Sequence, residues 1–162
     1  MNMKTYTVTK PKLMLTGVSV RTTNAEEAGP DGRLPKLWES YFNSKVAAIS
    51  GIKNPNDIYA LYTDYESDAT GAYTTLIGHE TAGAPAQDGN LFETKSIPES
   101  KYLVFQTTSG PANEVVAQAW QEIWSYFEES PEVRTYTGDF ELYDTRNYDP
   151  ANTQIEIYIA IE

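Results

Sequence analysis

The chain contains an internal repeat, and this feature limits its possible folds more than any other. Residues 5–24 correspond to residues 90–109 at one constant spacing, which aligns Lys10 with Lys95. Each copy is followed by a helical stretch rich in aromatic residues and then by two strand-like runs. A unit used twice in one chain brings two half-domains together. The seam between them is a natural place for a ligand cavity.

The elements that follow each copy are predicted in the same order. From Leu34, apolar residues recur at the spacing of one helix face, and Val116, Trp120 and Ile123 share a face in the second half. In the sequence alignment, the aromatic stretch around Trp38 corresponds to the stretch that contains Trp124. The predicted strands are residues 6–20 with a break at Lys10-Pro11-Lys12, then 58–65, 73–80, 91–95, 101–107, 135–144 and 154–161.

These elements predict one α+β domain over residues 1–162. We expect a duplicated strand-helix-strand-strand unit with pseudo-twofold symmetry, a mainly antiparallel sheet, two helices and a cleft between the halves. Repeat one covers residues 5–80 and repeat two covers residues 89–161, joined by a flexible connection over residues 81–90.

The charge of the chain bears on its partners. Twelve Lys and Arg residues stand against 23 Asp and Glu residues, which gives a formal net charge of -11. Such a surface repels polyanions, so we expect no direct contact with nucleic acid or with anionic membranes, whereas cations are favoured. The N-terminus lacks the apolar core of a signal peptide, and no apolar run reaches membrane-helix length. The expected location is therefore cytoplasmic.

The sequence gives little support for a metal site, a cofactor site or a Ser-His-Asp catalytic triad. The chain has no cysteine, and its one histidine, His79, is predicted to be a strand residue that faces water. The acidic stretch 64–71 differs from a calcium-binding loop because its glycine comes late and Thr75 stands where a bidentate Glu is needed. No glycine motif for phosphate is present either. We therefore expect no metal and no cofactor.

The sequence feature that favours ligand binding is the combination of aromatic residues with a carboxylate. Twelve Tyr and three Trp residues are present, and the last strand alternates so that Ile155 and Ile157 share one face while Glu156 and Tyr158 share the other. Two interpretations are open. Glu156 faces solvent, or it projects into an aromatic cavity where a buried carboxylate needs a cation or hydrogen-bond donors. The second arrangement would prefer a flat lipophilic cation.

Four segments in chain order resemble the GyrI-like small-molecule-binding domain, which is also the effector-binding domain of some AraC-type regulators. They are IYALYTDYESD at 58–68, IPESKY at 97–102, DFELYD at 139–144 and EIYIAI at 156–161. The resemblance implies a duplicated strand-helix-strand-strand fold that binds hydrophobic, often cationic compounds in a cleft between its halves. It also implies that the glutamate of the last-strand motif, Glu156, is a key pocket residue.

The expected aromatic wall combines both helices with the first hairpin. Trp120 and Trp38 lie on the predicted inner helix faces, and Tyr59 and Tyr73 lie on the hairpin strands. Tyr158, on the same strand face as the pocket glutamate, completes the predicted ligand-binding set. Packing in the core alone would also explain each of these aromatic residues.

Three functions are compatible with the sequence. The first is binding of small hydrophobic, cationic compounds by a stand-alone domain without attached DNA-binding helices, acting as a sensor or a sequestering protein. The second is hydrolysis of electrophilic toxic natural products, with Glu156 as the general base and a tyrosine hydroxyl assisting. The third is inhibition of a protein partner such as gyrase through the acidic surface.

Overall fold

An antiparallel sheet with helices forms the domain. The computed structural model describes residues 3–30, 32–44, 52–67, 70–81, 92–146, 149 and 151–162, and within them eight strands and three helices are present. The prediction of an α+β fold with a mainly antiparallel sheet is confirmed. The elements are β1 (Lys4–Lys10), β2 (Leu13–Thr23), α1 (Asn24–Glu27), α2 (Leu34–Ser44), β3 (Asp57–Thr63), β4 (Ala72–Glu80), β5 (Glu93–Ile97), β6 (Ser100–Gln106), α3 (Ala112–Glu129), β7 (Asp139–Asp144) and β8 (Glu156–Ile161).

The described residues contain one helix more than the two predicted. The additional helix is the short α1, which is capped by Thr23, whose side chain accepts a hydrogen bond from the backbone N–H of Glu26. Helix α3 begins directly after Pro111. Of the predicted connection over residues 81–90, residues 82–90 lie outside the described part of the chain.

The two repeats exchange their first strands. The order across the sheet is β1-β6-β8-β7-β3-β4-β2-β5, in which β1 pairs with β6 and β5 pairs with β2. The first predicted strand, residues 6–20, is therefore two strands that lie in different halves of the sheet. Pro11 and Lys12 join them, as Pro98 and Glu99 join β5 to β6. Each half of the sheet thus ends in a strand from the other repeat.

This exchange requires a strongly curled sheet. Six strand spacings separate β1 from β2, which would be about 29 Å in a flat sheet. The link from Lys10 to Leu13 reaches at most about 11 Å between Cα atoms. The two ends of the sheet must therefore come close together. A close approach across the sheet agrees with this, since a side chain at Gly138, just before the central strand β7, would collide with Ile97 of the edge strand β5.

The inner face of the curled sheet carries a core made of strand residues. Its buried members come from seven strands, β2 to β8, and include Leu61, Leu76, Tyr102, Phe140 and Tyr158. Phe140 and Tyr158 stack with their ring centroids 4.5 Å apart. Because the curled sheet encloses this core, the inner face is buried although none of the described helices contributes to it.

The outer face of the sheet packs against the helices. Ile77, Phe105 and Ile157 of the strands form a second core with Leu37 of α2 and Ile123 of α3. The isoleucines of the last strand share one face, as their alternation predicts, and this face packs against the helices. Successive residues of each strand thus divide between two buried faces.

His79 connects helix α2 to the sheet. The residue is fully buried, which corrects the prediction that it faces water. Its Nδ1 donates a hydrogen bond to the carbonyl of Asp57 at 2.9 Å, and its Nε2 accepts one from the hydroxyl of Tyr41 in α2 at 2.6 Å. Burial lowers the pKa of His79 because the charged imidazolium would lose its hydration. The histidine is neutral and its role is structural.

Candidate functional site

A cavity of about 790 Å³ lies between α2, α3 and the outer face of the sheet. This volume falls in the range of small-molecule sites, about 300 to 1,000 Å³. Residues of both repeats line it, so the cavity occupies the seam between the halves. Its aromatic lining residues are Trp38, Phe42, Tyr62, Tyr65, Tyr73, Trp120, Trp124 and Tyr143.

One carboxylate, Glu141, is buried in the wall of this cavity. The residue lies in the middle of β7 and is 2% exposed. Three neutral groups donate hydrogen bonds to it. The hydroxyl of Tyr143 donates to Oε1 at 2.6 Å, and the hydroxyl of Tyr62 and the indole N–H of Trp120 donate to Oε2 at 2.8 and 2.6 Å. Strands β3 and β7 and helix α3 thus meet at one carboxylate.

The electrostatics of Glu141 are those of a negative charge without a counter-ion. Among the described residues, no Lys or Arg lies within ion-pair distance of its carboxylate. Burial raises the pKa of Glu141 because the charged form loses its hydration, whereas the three hydrogen bonds favour the charged form and oppose this rise. A positive charge placed in the cavity would compensate for the lost hydration.

A second buried carboxylate, Asp139, lies two residues earlier on the same strand. Its Oδ2 accepts hydrogen bonds from Arg134 at 2.7 Å and from the hydroxyl of Tyr65 at 2.6 Å, and its Oδ1 accepts one from the backbone N–H of Ala160 at 2.8 Å. Arg134 also lies over the ring of Tyr136, 4.4 Å from its centroid. This carboxylate is therefore neutralised inside the protein.

Besides Glu141 and Arg134, the described cavity lining contains one more acidic or basic residue, Glu27, whose side chain caps a helix. Its carboxylate accepts hydrogen bonds from the backbone N–H groups of Arg33 at 2.7 Å and Leu34 at 3.1 Å, at the start of α2. A carboxylate at a helix N-terminus also interacts favourably with the helix dipole. Glu27 also lacks a Lys or Arg partner, but it is only partly buried and is held by backbone N–H groups, so Glu141 is the fully buried lining carboxylate without a positive partner among the described residues.

Two Trp–Tyr contacts frame Glu141. The ring of Trp38 meets the ring of Tyr143 edge to face, with centroids 5.2 Å apart. The ring of Trp120 meets the ring of Tyr62 in the same way, with centroids 5.3 Å apart. In each contact a tryptophan from the helix of one repeat touches a tyrosine from a strand of the other.

Three of the six predicted ligand-binding residues line the cavity. Trp38 and Trp120 extend from the two helices, and Tyr73 donates a hydrogen bond from its hydroxyl to Asn24 at 2.9 Å. Tyr59 and Tyr158 instead belong to the core on the inner face of the sheet. Their placement there follows from strand alternation, since each neighbours an outward-facing residue.

Glu156 also lies away from the cavity, which corrects its predicted position. It is the first residue of β8 and faces the inside of the curled sheet, where its side chain is only partly buried. The hydroxyls of Tyr6 and Tyr158 donate hydrogen bonds to it at 2.6 and 3.0 Å. The prediction placed the cavity on the wrong side of this strand, because the isoleucine face of β8 turns toward the helices.

The residues that the sequence prediction missed are Glu141, Tyr62, Tyr143 and Trp124. A signal for the first was present in the segment DFELYD, where Phe140 and Leu142 alternate with Glu141. A glutamate inside a strand whose neighbours are large and apolar is a candidate for burial on the other face. The structural counterpart of Trp38 across the cavity is Trp120, whereas the sequence alignment matched it with Trp124.

The described part of the chain contains neither a metal-ligand cluster nor a membrane-spanning helix. Within the described residues, no group of three or more His, Cys, Asp or Glu side chains is arranged to hold a metal ion. The helices in this part of the chain are too short or too polar to cross a membrane.

The chain is similar to known proteins over nearly its whole length. Residues 7–161 match the Cass2 family, described as integron-associated effector binding protein. The Bacillus subtilis (strain 168) protein YobU, named as a candidate transcriptional regulator, is 36% identical over 147 residues, which cover 90% of each chain. The resemblance to GyrI-like effector-binding domains is thereby confirmed at the level of the family.

Two solved structures share the fold. The integron cassette protein VCH_CASS2 from the mobile metagenome of Vibrio cholerae is 32% identical, with a TM-score of 0.78 over 98% of this chain and 95% of that chain. The structure of SAV2435 bound to tetraphenylphosphonium has a TM-score of 0.74 at 18% identity, covering 100% of this chain and 94% of that chain. At that identity the second comparison establishes the fold alone.

Proposed function

The chain belongs to the Cass2 family of integron-associated effector-binding proteins, and we propose that its cavity binds lipophilic organic cations. The observation that carries this proposal is the state of Glu141. A carboxylate that is 2% exposed and held by three neutral donors is a charge the protein leaves uncompensated. A cationic ligand would provide the missing charge, at a site where water competes weakly.

The aromatic lining supports the same class of ligand. Trp38, Trp120, Tyr62 and Tyr143 surround the carboxylate and present ring surfaces to the cavity. The faces of aromatic rings attract cations, and the attraction increases when the cation is desolvated. A small hydrated ion would leave this apolar surface uncovered, whereas a lipophilic cation would both cover it and pair with Glu141.

The relatives support a role for this binding in sensing. SAV2435, which shares the fold, has been solved with the lipophilic cation tetraphenylphosphonium. YobU is named as a candidate regulator. We therefore assign the cavity as an effector site through which the protein senses or sequesters cationic compounds.

A charge-matched titration tests this proposal. Tetraphenylphosphonium and tetraphenylborate have nearly the same shape and opposite charge, so their affinities separate charge recognition from shape recognition. By calorimetry at low salt and neutral pH, we expect the phosphonium to bind and the borate to bind at least about tenfold more weakly. Equal affinities would show that charge does not determine binding.

Two matched variants locate the charge. Glu141→Gln removes the charge and keeps the shape, and the Tyr143 hydroxyl can rotate to accept from the new amide. We expect phosphonium affinity to fall about tenfold or more in this variant. Glu156→Gln is the same exchange on the inner face and serves as the control, with affinity expected within about twofold of the parent protein. Loss of affinity in the Glu156 variant alone would contradict the assignment of Glu141.

A further inference from the structure

The cavity has a local twofold arrangement centred on Glu141. In the pairing of β3 with β7, Ala60 lies directly opposite Glu141. Tyr62 and Tyr143 each lie two residues further along their own strands, and the strands run in opposite directions. The two tyrosines therefore lie diagonally on either side of the Ala60–Glu141 pair, and both donate hydrogen bonds to the same carboxylate.

The helices extend this arrangement. Trp38 of α2 contacts Tyr143, and Trp120 of α3 contacts Tyr62, with centroid distances of 5.2 and 5.3 Å and interplanar angles of 79° and 73°. One helical turn further on, each tryptophan meets a second aromatic ring. Its neighbours are Phe42 in α2 at 6.0 Å and Trp124 in α3 at 6.2 Å.

The cavity thus consists of two aromatic half-pockets with one charged group between them. The first half-pocket is Trp38, Phe42 and Tyr143, and the second is Trp120, Trp124 and Tyr62. The arrangement departs from twofold symmetry where Glu141 faces Ala60, since only one of the paired positions has a charge. The negative charge stands at the centre of the lining, with aromatic rings on both sides.

The other charged lining groups do not compete with this centre. Arg134 is paired with Asp139 at 2.7 Å, and Glu27 caps helix α2 through the backbone N–H groups of Arg33 and Leu34. A ligand that fills the cavity therefore meets aromatic surface at both ends and an unneutralised carboxylate between them.

From this geometry we propose that the preferred ligands are cations whose charge lies centrally between two aromatic groups. The inference rests on the proposed function and specifies it further. Such a ligand places one aromatic group in each half-pocket while its charge remains near Glu141. A ligand with its charge at one end must either move the charge away from the carboxylate or leave one half-pocket unfilled.

Two isomeric ammonium ions test the proposal. Dibenzyldimethylammonium has its nitrogen between two phenyl rings, and (biphenyl-4-ylmethyl)trimethylammonium has the same atoms with the nitrogen at one end. Charge, composition and ring count are equal, so a difference in affinity reports the position of the charge. We expect the first ion to bind at least about fivefold more tightly by calorimetry. Equal affinities, or a preference for the second ion, would overturn this inference.

A pair of cavity variants tests the use of both half-pockets. Trp38→Leu and Trp124→Leu each remove one indole from a different half-pocket. Both variants keep Trp120, whose indole N–H donates a hydrogen bond to Glu141. We expect each variant to weaken binding of dibenzyldimethylammonium several-fold, because each aromatic group of the ligand loses a ring contact. If one of the variants binds it as tightly as the parent protein, the two-sided mode is wrong.

The failure of this inference is distinguishable from failure of the proposed function. If both isomers and tetraphenylphosphonium bind while the isomers do so equally, cation binding stands and the central position of the charge is refuted. If tetraphenylphosphonium and tetraphenylborate bind equally, the proposed function fails, and this inference fails with it.

Discussion

Asp139 and Glu141 lie two residues apart on one strand, both buried and on the same face. They differ in the groups that surround their carboxylates. Asp139 has a cation, Arg134, at 2.7 Å. Glu141 has two tyrosine hydroxyls and one indole N–H. The charge of Asp139 is balanced by a cation within the protein. Glu141 is held by neutral donors and has no cation beside it among the described residues. The difference separates a structural ion pair from the proposed ligand site.

The largest expected effect comes from neutralising each carboxylate in turn. Asp139→Asn leaves the buried guanidinium of Arg134 without its partner, and we expect a loss of about 3 to 5 kcal/mol in the free energy of unfolding. Glu141→Gln removes a charge that has no cation, so the unfolding free energy should change by less than about 1 kcal/mol or increase. Urea denaturation of the two variants measures both values. Equal losses would remove the distinction between the sites.

A smaller effect is expected from removing one hydroxyl beside each carboxylate. In Tyr143→Phe, Oε1 of Glu141 loses the hydroxyl that donates to it, so the pKa of Glu141 rises further and the protonated form is favoured. Affinity for tetraphenylphosphonium should fall, and the loss should be larger at pH 6 than at pH 8, because the lower pH also favours the protonated form. Tyr65→Phe is the control, because Asp139 keeps Arg134.

In that control, affinity for the cation should change little at either pH. A loss in Tyr143→Phe that stays constant with pH would indicate a lost contact and not a shifted titration. Calorimetric titrations of both variants at the two pH values make the comparison.

The smallest expected effect is on the pH dependence of stability. The pKa of Glu141 is raised in the folded protein, so at a pH below its ordinary value both states are protonated and the group contributes nothing. As the pH rises from that value toward the folded pKa, the unfolded state ionises first, and the folded protein loses stability. Glu141→Gln should lack this loss, so its advantage over the parent should grow with pH across that window and then level off.

Thermal unfolding of the parent protein and of Glu141→Gln between pH 4 and pH 8 measures this difference. Glu156→Gln provides the comparison for a partly exposed glutamate. A difference between the parent and Glu141→Gln that is constant with pH would contradict a raised pKa.

The sequence predicted the elements of the fold because their signals are local. The repeat of residues 5–24, the helical spacing from Leu34 and the alternation in the last strand all depend on neighbours along the chain. The exchange of β1 and β5 was missed because it depends on which distant strands pair. Pro11 interrupts the first of these segments and Pro98 interrupts the second. Such an interruption looks the same in the sequence whether the strand bends or the chain crosses to the other half of the sheet.

The position of the charged group was missed for a related reason. Glu141-Leu142-Tyr143 and Glu156-Ile157-Tyr158 have the same pattern, and in each the tyrosine hydroxyl bonds to its glutamate. Both faces of the sheet are apolar, so alternation separates the residues of a strand without showing which face borders the cavity. The choice between the two glutamates follows from the placement of α2 and α3 on the outer face.

The strand exchange has a consequence for how the protein folds. Lys4 of the first strand pairs with Gln106, and Leu13 pairs with Ile97, so each half of the sheet depends on contacts between residues far apart in the chain. Contacts of this kind raise the contact order and slow folding, because a long loop must close before the pairing stabilises it. During synthesis the first strand leaves the ribosome before its partner β6 exists. Until the second repeat is made, β1 has no partner, and both edges of the three strands β2, β4 and β3 are unpaired because their neighbours are β5 and β7.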